Sequence, residues 1–191
     1  MTRTEREIYL EADGMNQIGF PDNNGVTSYY SSNCTSADAT AMDEFCQANN
    51  ISPLNTRLFK SQDGKTYNLR VCSQHSSAEK TPYLKTYALA DGVTVNVTAG
   101  DFSAFMAKVV ESMEQAEFYT SSPNQKEMIA NYVEHFKFGD VEKHKASQRN
   151  WIKDIGPVVE TNIGFIETYL DPSGARAEFE GFVSVVDKQV S

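Results

Sequence analysis

The stretch GPVVETNIGFIETY, residues 156–169, decides the fold class, because it predicts a strand between segments that predict helices. Its β-branched residues and the extended backbone expected around Pro157 favour a β-strand. Alternate side chains of a strand point to opposite faces. One face is mainly apolar and consists of Val159, Thr161, Ile163 and Phe165. The other face carries a carboxylate, an amide and a glycine, at Glu160, Asn162 and Gly164. We predict that the first face packs into a core and that the second faces water or a ligand.

Helical periodicity surrounds this strand. Two amphipathic helices are predicted before it, with Asp101 and Ser122 as their N-cap residues. A polar helix is predicted from Asp140 towards Trp151. After the strand, a last helix is predicted from the spacing of Phe179, Phe182, Val183, Val186 and Val190.

The N-terminal half predicts a sheet. Asp63-Gly64 and Asp91-Gly92 are two-residue hairpin signals, each flanked by segments rich in alternating apolar residues. A further strand is predicted at residues 25–31, and Thr35 is expected to begin a helix. A short helical pattern comes first, around Ile8, Leu10 and Met15. The predicted fold class is therefore α+β, with an antiparallel or mixed β-sheet, or a partial barrel, packed with several α-helices.

Composition bounds the class of protein and its partners. The 191 residues show no internal repeat and no flexible linker, so we expect residues 1–191 to form a single unit. The formal net charge of −9 argues against nucleic acid and anionic membrane surfaces as partners. The sequence has 3 cysteines without a C-x-x-C pair, and its start lacks the apolar stretch of a signal peptide. We therefore predict buried free thiols and a cytoplasmic location, while the oligomeric state stays open.

Candidate catalytic groups are few. Asp140 and His144 are four residues apart and could face one metal ion together with His135, but surface side chains are the preferred interpretation. Cys72 beside His75 could form a nucleophilic pair, yet inert packing of the thiol is favoured. The motifs H-E-x-x-H, H-E-x-x-x-H, G-x-S-x-G and the P-loop do not occur in the sequence. We assign no catalytic and no metal-binding residue.

Acidic side chains become frequent towards the C-terminus. They are Glu160, Glu167, Asp171, Glu178 and Glu180. Two of these carboxylates could act as acid and base on a glycosidic bond, although most of them are explained as solvated charges or as charges that stabilise a helix terminus. Glu160 differs because it lies in the middle of the predicted strand. Its carboxylate therefore meets either water or a ligand, and the pattern alone leaves both open.

Four stretches of the chain resemble the dipeptidyl peptidase III family. They are residues 29–35, 55–60, 151–167 and 178–182, and the similarity runs along the whole chain in order. The last two stretches, which contain WIKDIGPVVETNIGFIE and EFEGF, are long enough to be specific.

The resemblance implies a function and a place within a larger protein. Members of this family are cytosolic zinc exopeptidases that release dipeptides from the N-termini of short peptides. They have two lobes, and the zinc ligands come from an H-E-x-x-x-H helix and a later glutamate of the upper lobe. The chain resembles the lower lobe, which contains both α-helices and β-strands, and it does not contain the H-E-x-x-x-H motif. The resemblance thus implies zinc as the cofactor of the full-length family members and implies no cofactor for this fragment. We expect the fragment alone to be inactive.

The resemblance also implies substrate-binding residues. In the family, a strand of the lower lobe binds the peptide as an added β-strand, and a glutamate binds its free amino terminus. Glu160 occupies the matching position, and Thr161 and Asn162 would flank the dipeptide. Some members have a tyrosine where Asn162 stands. The partners so implied are short peptides with free N-termini. The alternative is a stand-alone, non-catalytic peptide-binding or scaffold module.

Overall fold

The structure is a computed structural model that describes residues 17–77, 79–187 and 189–190. Its helices and antiparallel strands confirm the predicted α+β class. The helical pattern predicted around Ile8, Leu10 and Met15 lies outside the described residues. The chain divides into two compact units, and each is built from three stretches. The first comprises residues 1–70, 86–97 and 167–178, and the second comprises residues 71–85, 98–166 and 179–191. The prediction of a single unit stays a prediction.

The first unit contains one helix and most of a four-stranded sheet. The elements in chain order are α1 (Ser36–Ala48), β1 (Thr56–Lys60), β2 (Thr66–Cys72), β3 (Thr86–Ala88) and β4 (Thr94–Asp101). The strand order is β1-β2-β4-β3, and β3 pairs with β4 antiparallel, as the second hairpin signal predicts. The last residues of β2 and β4 belong to the second unit. As expected, Thr35 caps α1, forming a capping box with Asp38.

A fully buried arginine lies in the first unit. The side chain of Arg176 is 0% exposed, and its Nη1 donates to Tyr30 Oη at 2.7 Å and to Asp43 Oδ1 at 2.9 Å. Its backbone N–H donates to Asp171 Oδ2 at 2.7 Å. The carboxylates compensate the buried positive charge, so the turn at residues 171–174 is tied to α1 and to the segment before it.

The second unit contains three helices and two strands. These elements are α2 (Ser103–Glu117), α3 (Pro123–Phe138), α4 (Val141–Trp151), β5 (Val159–Phe165) and β6 (Phe179–Val185). The start of α3 follows the predicted chemistry, because Ser122 accepts the Gln125 N–H and Pro123 fills the first helical position. The core of the unit is formed by Cys72, the last residue of β2, and by apolar side chains from α2 and α3: Met106, Val110, Met128, Ile129, Tyr132, Val133 and Phe136.

The last predicted helix is wrong. Residues 179–185 form strand β6, which pairs antiparallel with β5 so that Phe182 lies opposite Asn162 and Val183 opposite Thr161. The apolar spacing in this segment resembles a helix, but its valines are β-branched and β5 supplies a partner for its backbone. Gly181 also fits this pairing, because a Cβ there would lie 2.9 Å from Ile163 Cγ1.

Two further local predictions need correction. Residues 25–31 form no strand and have only isolated bridges, from Val26 to Ile18 and from Tyr30 to Leu58. Tyr29 and Tyr30 are buried there, so their side chains pack without a continuous backbone ladder. The N-cap of α2 is Phe102 rather than Asp101, because Asp101 is still the last residue of β4.

Candidate functional site

Strand β5 passes the helices α3 and α4, which contact the face that carries Glu160, Asn162 and Gly164. Gly164 lies against the His144 ring so closely that a Cβ would stand 2.5 Å from Cε1 and 2.9 Å from Nδ1. The predicted extended conformation is confirmed for residues 159–165, which are seven of the fourteen residues in the predicted segment 156–169. Glu160 and Asn162 are half-buried and hydrogen-bonded to helix side chains, so this face is less open than expected from the sequence.

Glu160 is held by an indole. The Trp151 Nε1–H at the end of α4 donates to Glu160 Oε1 at 2.5 Å. Within the part of the chain that the structure describes, no cationic side chain forms an ion pair with Glu160. A half-buried carboxylate with one oxygen fixed by a neutral donor can accept charge-assisted hydrogen bonds from a cation that comes from outside.

Asn162 belongs to a hydrogen-bonded triangle with two helix side chains. Its Oδ1 lies 3.2 Å from Tyr132 Oη and 3.2 Å from Gln148 Nε2. Gln148 Nε2 also donates to Tyr132 Oη at 2.9 Å. Tyr132 is 0% exposed, and burial raises the pKa of its phenol, which therefore stays protonated and able to donate at neutral pH.

Thr161 points to the opposite face and is buried. Its hydroxyl donates to Phe182 O of β6 at 3.0 Å, so the side chain fastens the two strands to each other. It is therefore the backbone of Thr161, rather than its hydroxyl, that suits contact with a peptide.

The register of β5 and β6 determines which backbone groups point away from β6. Val186 N donates to Val158 O at 2.9 Å, so the even-numbered residues of β5 form the hydrogen-bonded pairs with β6. The N–H and C=O groups of Val159, Thr161 and Ile163 consequently point to the other edge. Gln125 Nε2 of α3 already donates to Val159 O at 3.2 Å. The backbone of Thr161 follows directly along that edge.

Two histidines expected on the surface are buried instead. His135 is 1% exposed, and the centroids of the His135 and His144 rings are 5.1 Å apart. Burial and the neighbouring His144 lower the pKa of His135 to about 3. Burial also lowers the pKa of His144. Both rings are therefore neutral at pH 7 and act as packing groups beneath β5.

The described residues do not fit a zinc ion. Among them, no group of three or more His, Cys, Asp or Glu side chains is placed to hold a metal. Asp140 Oδ1 accepts the Glu142 N–H at the start of α4, and His144 packs beneath Gly164. The zinc implied for the full-length family therefore contributes no step here.

No helix in the described ranges is long and apolar enough to cross a membrane. The cytoplasmic location stays a prediction.

Sequence reasoning missed the helix side chains that orient the strand. Trp151 and Gln148 lie three residues apart on α4, one turn of the helix, and thus on one face, which could have indicated a shared role. Tyr132 lies on the apolar face of α3, and its hydroxyl gives no separate signal in the sequence pattern. The cluster formed by Glu160, Asn162, Trp151, Tyr132 and Gln148 is called the β5 cluster below.

Known proteins resemble this chain closely in sequence. The dipeptidyl peptidase 3 of Nematostella vectensis is 45% identical over 195 residues, covering 96% of this chain and 27% of that protein. The dipeptidyl peptidase 3 of Homo sapiens is 45% identical over 175 residues, covering 87% of this chain and 24% of that protein. The chain thus spans about a quarter of the length of the curated relatives it matches.

Solved structures show the same fold. The dipeptidyl-peptidase III from Corallococcus sp. strain EGB superposes with a TM-score of 0.57 at 19% identity, covering 85% of this chain and 25% of that one. A family model for peptidase family M49 matches residues 1–191. Because that match spans the whole sequence, this protein belongs to peptidase family M49, a family of metallopeptidases.

Proposed function

We propose that this chain is the substrate-binding part of a zinc-dependent dipeptidyl peptidase that releases N-terminal dipeptides from short peptides. The names of the relatives support the activity of the whole protein. In this proposal the zinc ligands come from other parts of such a protein, as the resemblance to the family implies. Substrate binding is therefore the contribution assigned to this chain.

The Glu160 carboxylate is the observation that carries the proposal. Trp151 fixes one of its oxygens, and no cation of the described residues neutralises it. A free peptide N-terminus is an ammonium group that would supply both the positive charge and the hydrogen-bond donors. Holding the ammonium at a fixed carboxylate lets an exopeptidase measure two residues from the end of its substrate.

The edge of β5 supports an extended peptide beside this carboxylate. The N–H and C=O groups of Thr161 point away from β6, so they are oriented to pair with an added strand. Gln125 limits this edge at Val159, where its amide bonds the carbonyl. The pairing with β5 is therefore short, and the ammonium contact carries much of the binding energy.

The proposal is tested by the affinity for a free amino terminus. Calorimetry compares a tetrapeptide with its N-acetylated form, on the wild-type chain and on Glu160→Gln. Because a charge-assisted hydrogen bond contributes about 1.5–3 kcal/mol, acetylation is expected to weaken wild-type binding about 10- to 150-fold. Glu160→Gln should remove this difference, since the amide oxygen still accepts from Trp151 but carries no charge.

The matched control is Glu167→Gln, which removes the same charge at an exposed side chain outside β5. It should leave the preference for the free amino terminus intact. Equal wild-type affinity for the two peptides would refute the ammonium contact.

The chain incubated with zinc and a dipeptidyl arylamide should release no arylamine, and zinc-dependent turnover would show that catalytic groups lie within this chain.

A further inference from the structure

The start of α3 places one side-chain amide against the backbone of β5. Gln125 is buried and lies outside the β5 cluster, and its Nε2 donates to Val159 O at 3.2 Å. Its Oε1 accepts the Ser121 N–H at 2.8 Å and the Ser121 hydroxyl at 3.2 Å. These two donors on Oε1 leave the amino group of the Gln125 amide to face the strand. The orientation of this amide is therefore set within the protein, before any ligand binds.

The segment that carries Gln125 is fastened to the end of α4. Asn124 Nδ2 donates to Asn150 O at 2.7 Å, and Ser122 Oγ donates to Asp154 Oδ1 at 3.3 Å. This segment belongs to the same compact unit as β5. Moving Gln125 away from the strand would leave a buried amide without its partners, which costs free energy. Gln125 is thus a fixed feature of the strand edge.

The carbonyl that Gln125 bonds is the one that would receive the first N–H of an added strand. A peptide whose amino end lies at Glu160 can run towards Gly164 or back past Val159, and Gln125 occupies the second route. Along the first route the peptide is parallel to β5. In a parallel pair, the residue whose carbonyl accepts the Thr161 N–H directs its own nitrogen at Val159 O. That residue would be the first residue of the peptide.

A free amino terminus and a peptide N–H differ at this position. The ammonium has three donors and can direct them to the Glu160 carboxylate. An acetylated or internal residue has a single N–H, whose direction is fixed by the strand, and it meets a carbonyl that already accepts from Gln125. That N–H would lose its bond to water without gaining a partner, at a cost comparable to a lost hydrogen bond. The chain before it would also meet the Gln125 side chain.

We propose that Gln125 is a specificity-determining residue that ends the binding edge of β5 and excludes peptides whose first paired nitrogen is an amide. This inference rests on the proposed function, because it requires a peptide added beside Thr161 with its amino end at Glu160. The two side chains have different tasks. Glu160 attracts the charged amino end, and Gln125 rejects acetylated ends and internal segments of a longer chain.

The test uses an N-acetylated tetrapeptide and its ester analogue, in which an oxygen atom replaces the N–H of the first residue. Calorimetric displacement of the tetrapeptide with a free amino terminus measures both affinities. Wild-type protein should bind the two acetylated ligands equally, because Val159 O already has its donor. Gln125→Ala makes that carbonyl available, so it should bind the acetylated amide about 2- to 13-fold more tightly than the ester, the usual effect of one neutral hydrogen bond.

A gain of affinity separates this role from a purely structural one. Gln125→Ala should bind the acetylated amide more tightly than wild type does, whereas a variant that only loosens the site would bind every ligand more weakly. Gln125→Asn retains an amide but is one methylene shorter, so it should show the same gain, even if the alanine variant does not fold. The matched control is Gln115→Ala, on the exposed side of α2, which should behave as wild type.

The outcomes distinguish this inference from the proposed function. The inference is overturned if wild-type protein already prefers the acetylated amide to the ester, or if the folded Gln125 variants bind the two equally. Either result leaves the proposed function in place, provided that acetylation still weakens wild-type binding. Equal wild-type affinity for the free and the acetylated tetrapeptide would refute the proposed function, and this inference with it.

Discussion

Replacing Gly164 with alanine should destabilise the protein through one defined clash. The new Cβ would lie 2.5 Å from His144 Cε1 and 2.9 Å from Nδ1. Carbon atoms in contact normally stay about 3.5–4.0 Å apart, so the ring or the strand must move by about 1 Å. Overpacking of this kind costs about 1–3 kcal/mol. For a chain of this size, the melting temperature should fall by about 2–12 °C.

Thermal unfolding followed by circular dichroism measures the effect, and a double-mutant cycle identifies its cause. In a His144→Ala background the ring is gone, so Gly164→Ala should cost clearly less than it does alone. The difference between the two costs is the coupling energy between the residues. An unchanged melting temperature for Gly164→Ala, or the same cost in both backgrounds, would refute the packing of β5 on α4 described above.

Three further outcomes are expected. Arg176→Met should lower the free energy of unfolding in urea by about 3–5 kcal/mol, because it leaves the buried Asp171 and the half-buried Asp43 without their cation. The exposed Arg149→Met should change it little, and similar small effects of both variants would contradict the buried ion pair. The folded protein keeps His135 neutral down to pH about 3, so the free energy of unfolding should fall as the pH drops below about 6.5, by up to about 1.4 kcal/mol per pH unit. His135→Gln should reduce this slope, and an equal slope in the variant would count against the depressed pKa. Ellman's reagent should label no cysteine in the native protein and 3 in urea, because all three thiols are buried, so rapid native labelling would contradict the structure.

Helices and hairpins whose capping or turn residues lie within the element itself could be predicted well from the sequence. The start of α3 is encoded by Ser122, Pro123 and Gln125, which act within one turn of the helix. The hairpin between β3 and β4 is likewise encoded by its turn, at Asp91 and Gly92. In such segments the interactions that choose the conformation join residues only a few positions apart.

Segments whose partner is distant in sequence were harder to predict. Residues 179–185 carry an apolar spacing that suits a helix, and only their pairing with β5 makes them a strand. His135 and His144 follow the same rule. Each has a charged neighbour in the sequence, but α3 and α4 pack against each other and Gly164 lies against the His144 ring. A local pattern could not reveal this burial.

The candidate site shows the same division. The extended conformation of residues 159–165, and the shared face of Glu160 and Asn162, followed from the alternation of side chains. Their partners, Trp151 and Tyr132, come from helices whose orientation depends on tertiary packing. The identity of the strand was thus within reach of the sequence, while the hydrogen bonds that orient its side chains were not.

The contact between Trp151 and Glu160 gives the protein an intrinsic optical probe. The sequence contains a single tryptophan, so nearly all fluorescence excited at the red edge of the absorption band arises from this indole. Its N–H is bonded to the carboxylate proposed to receive the ammonium of a peptide. Neutralising that carboxylate changes the electric field along the ring, so the emission wavelength should report occupation of Glu160 without any attached label.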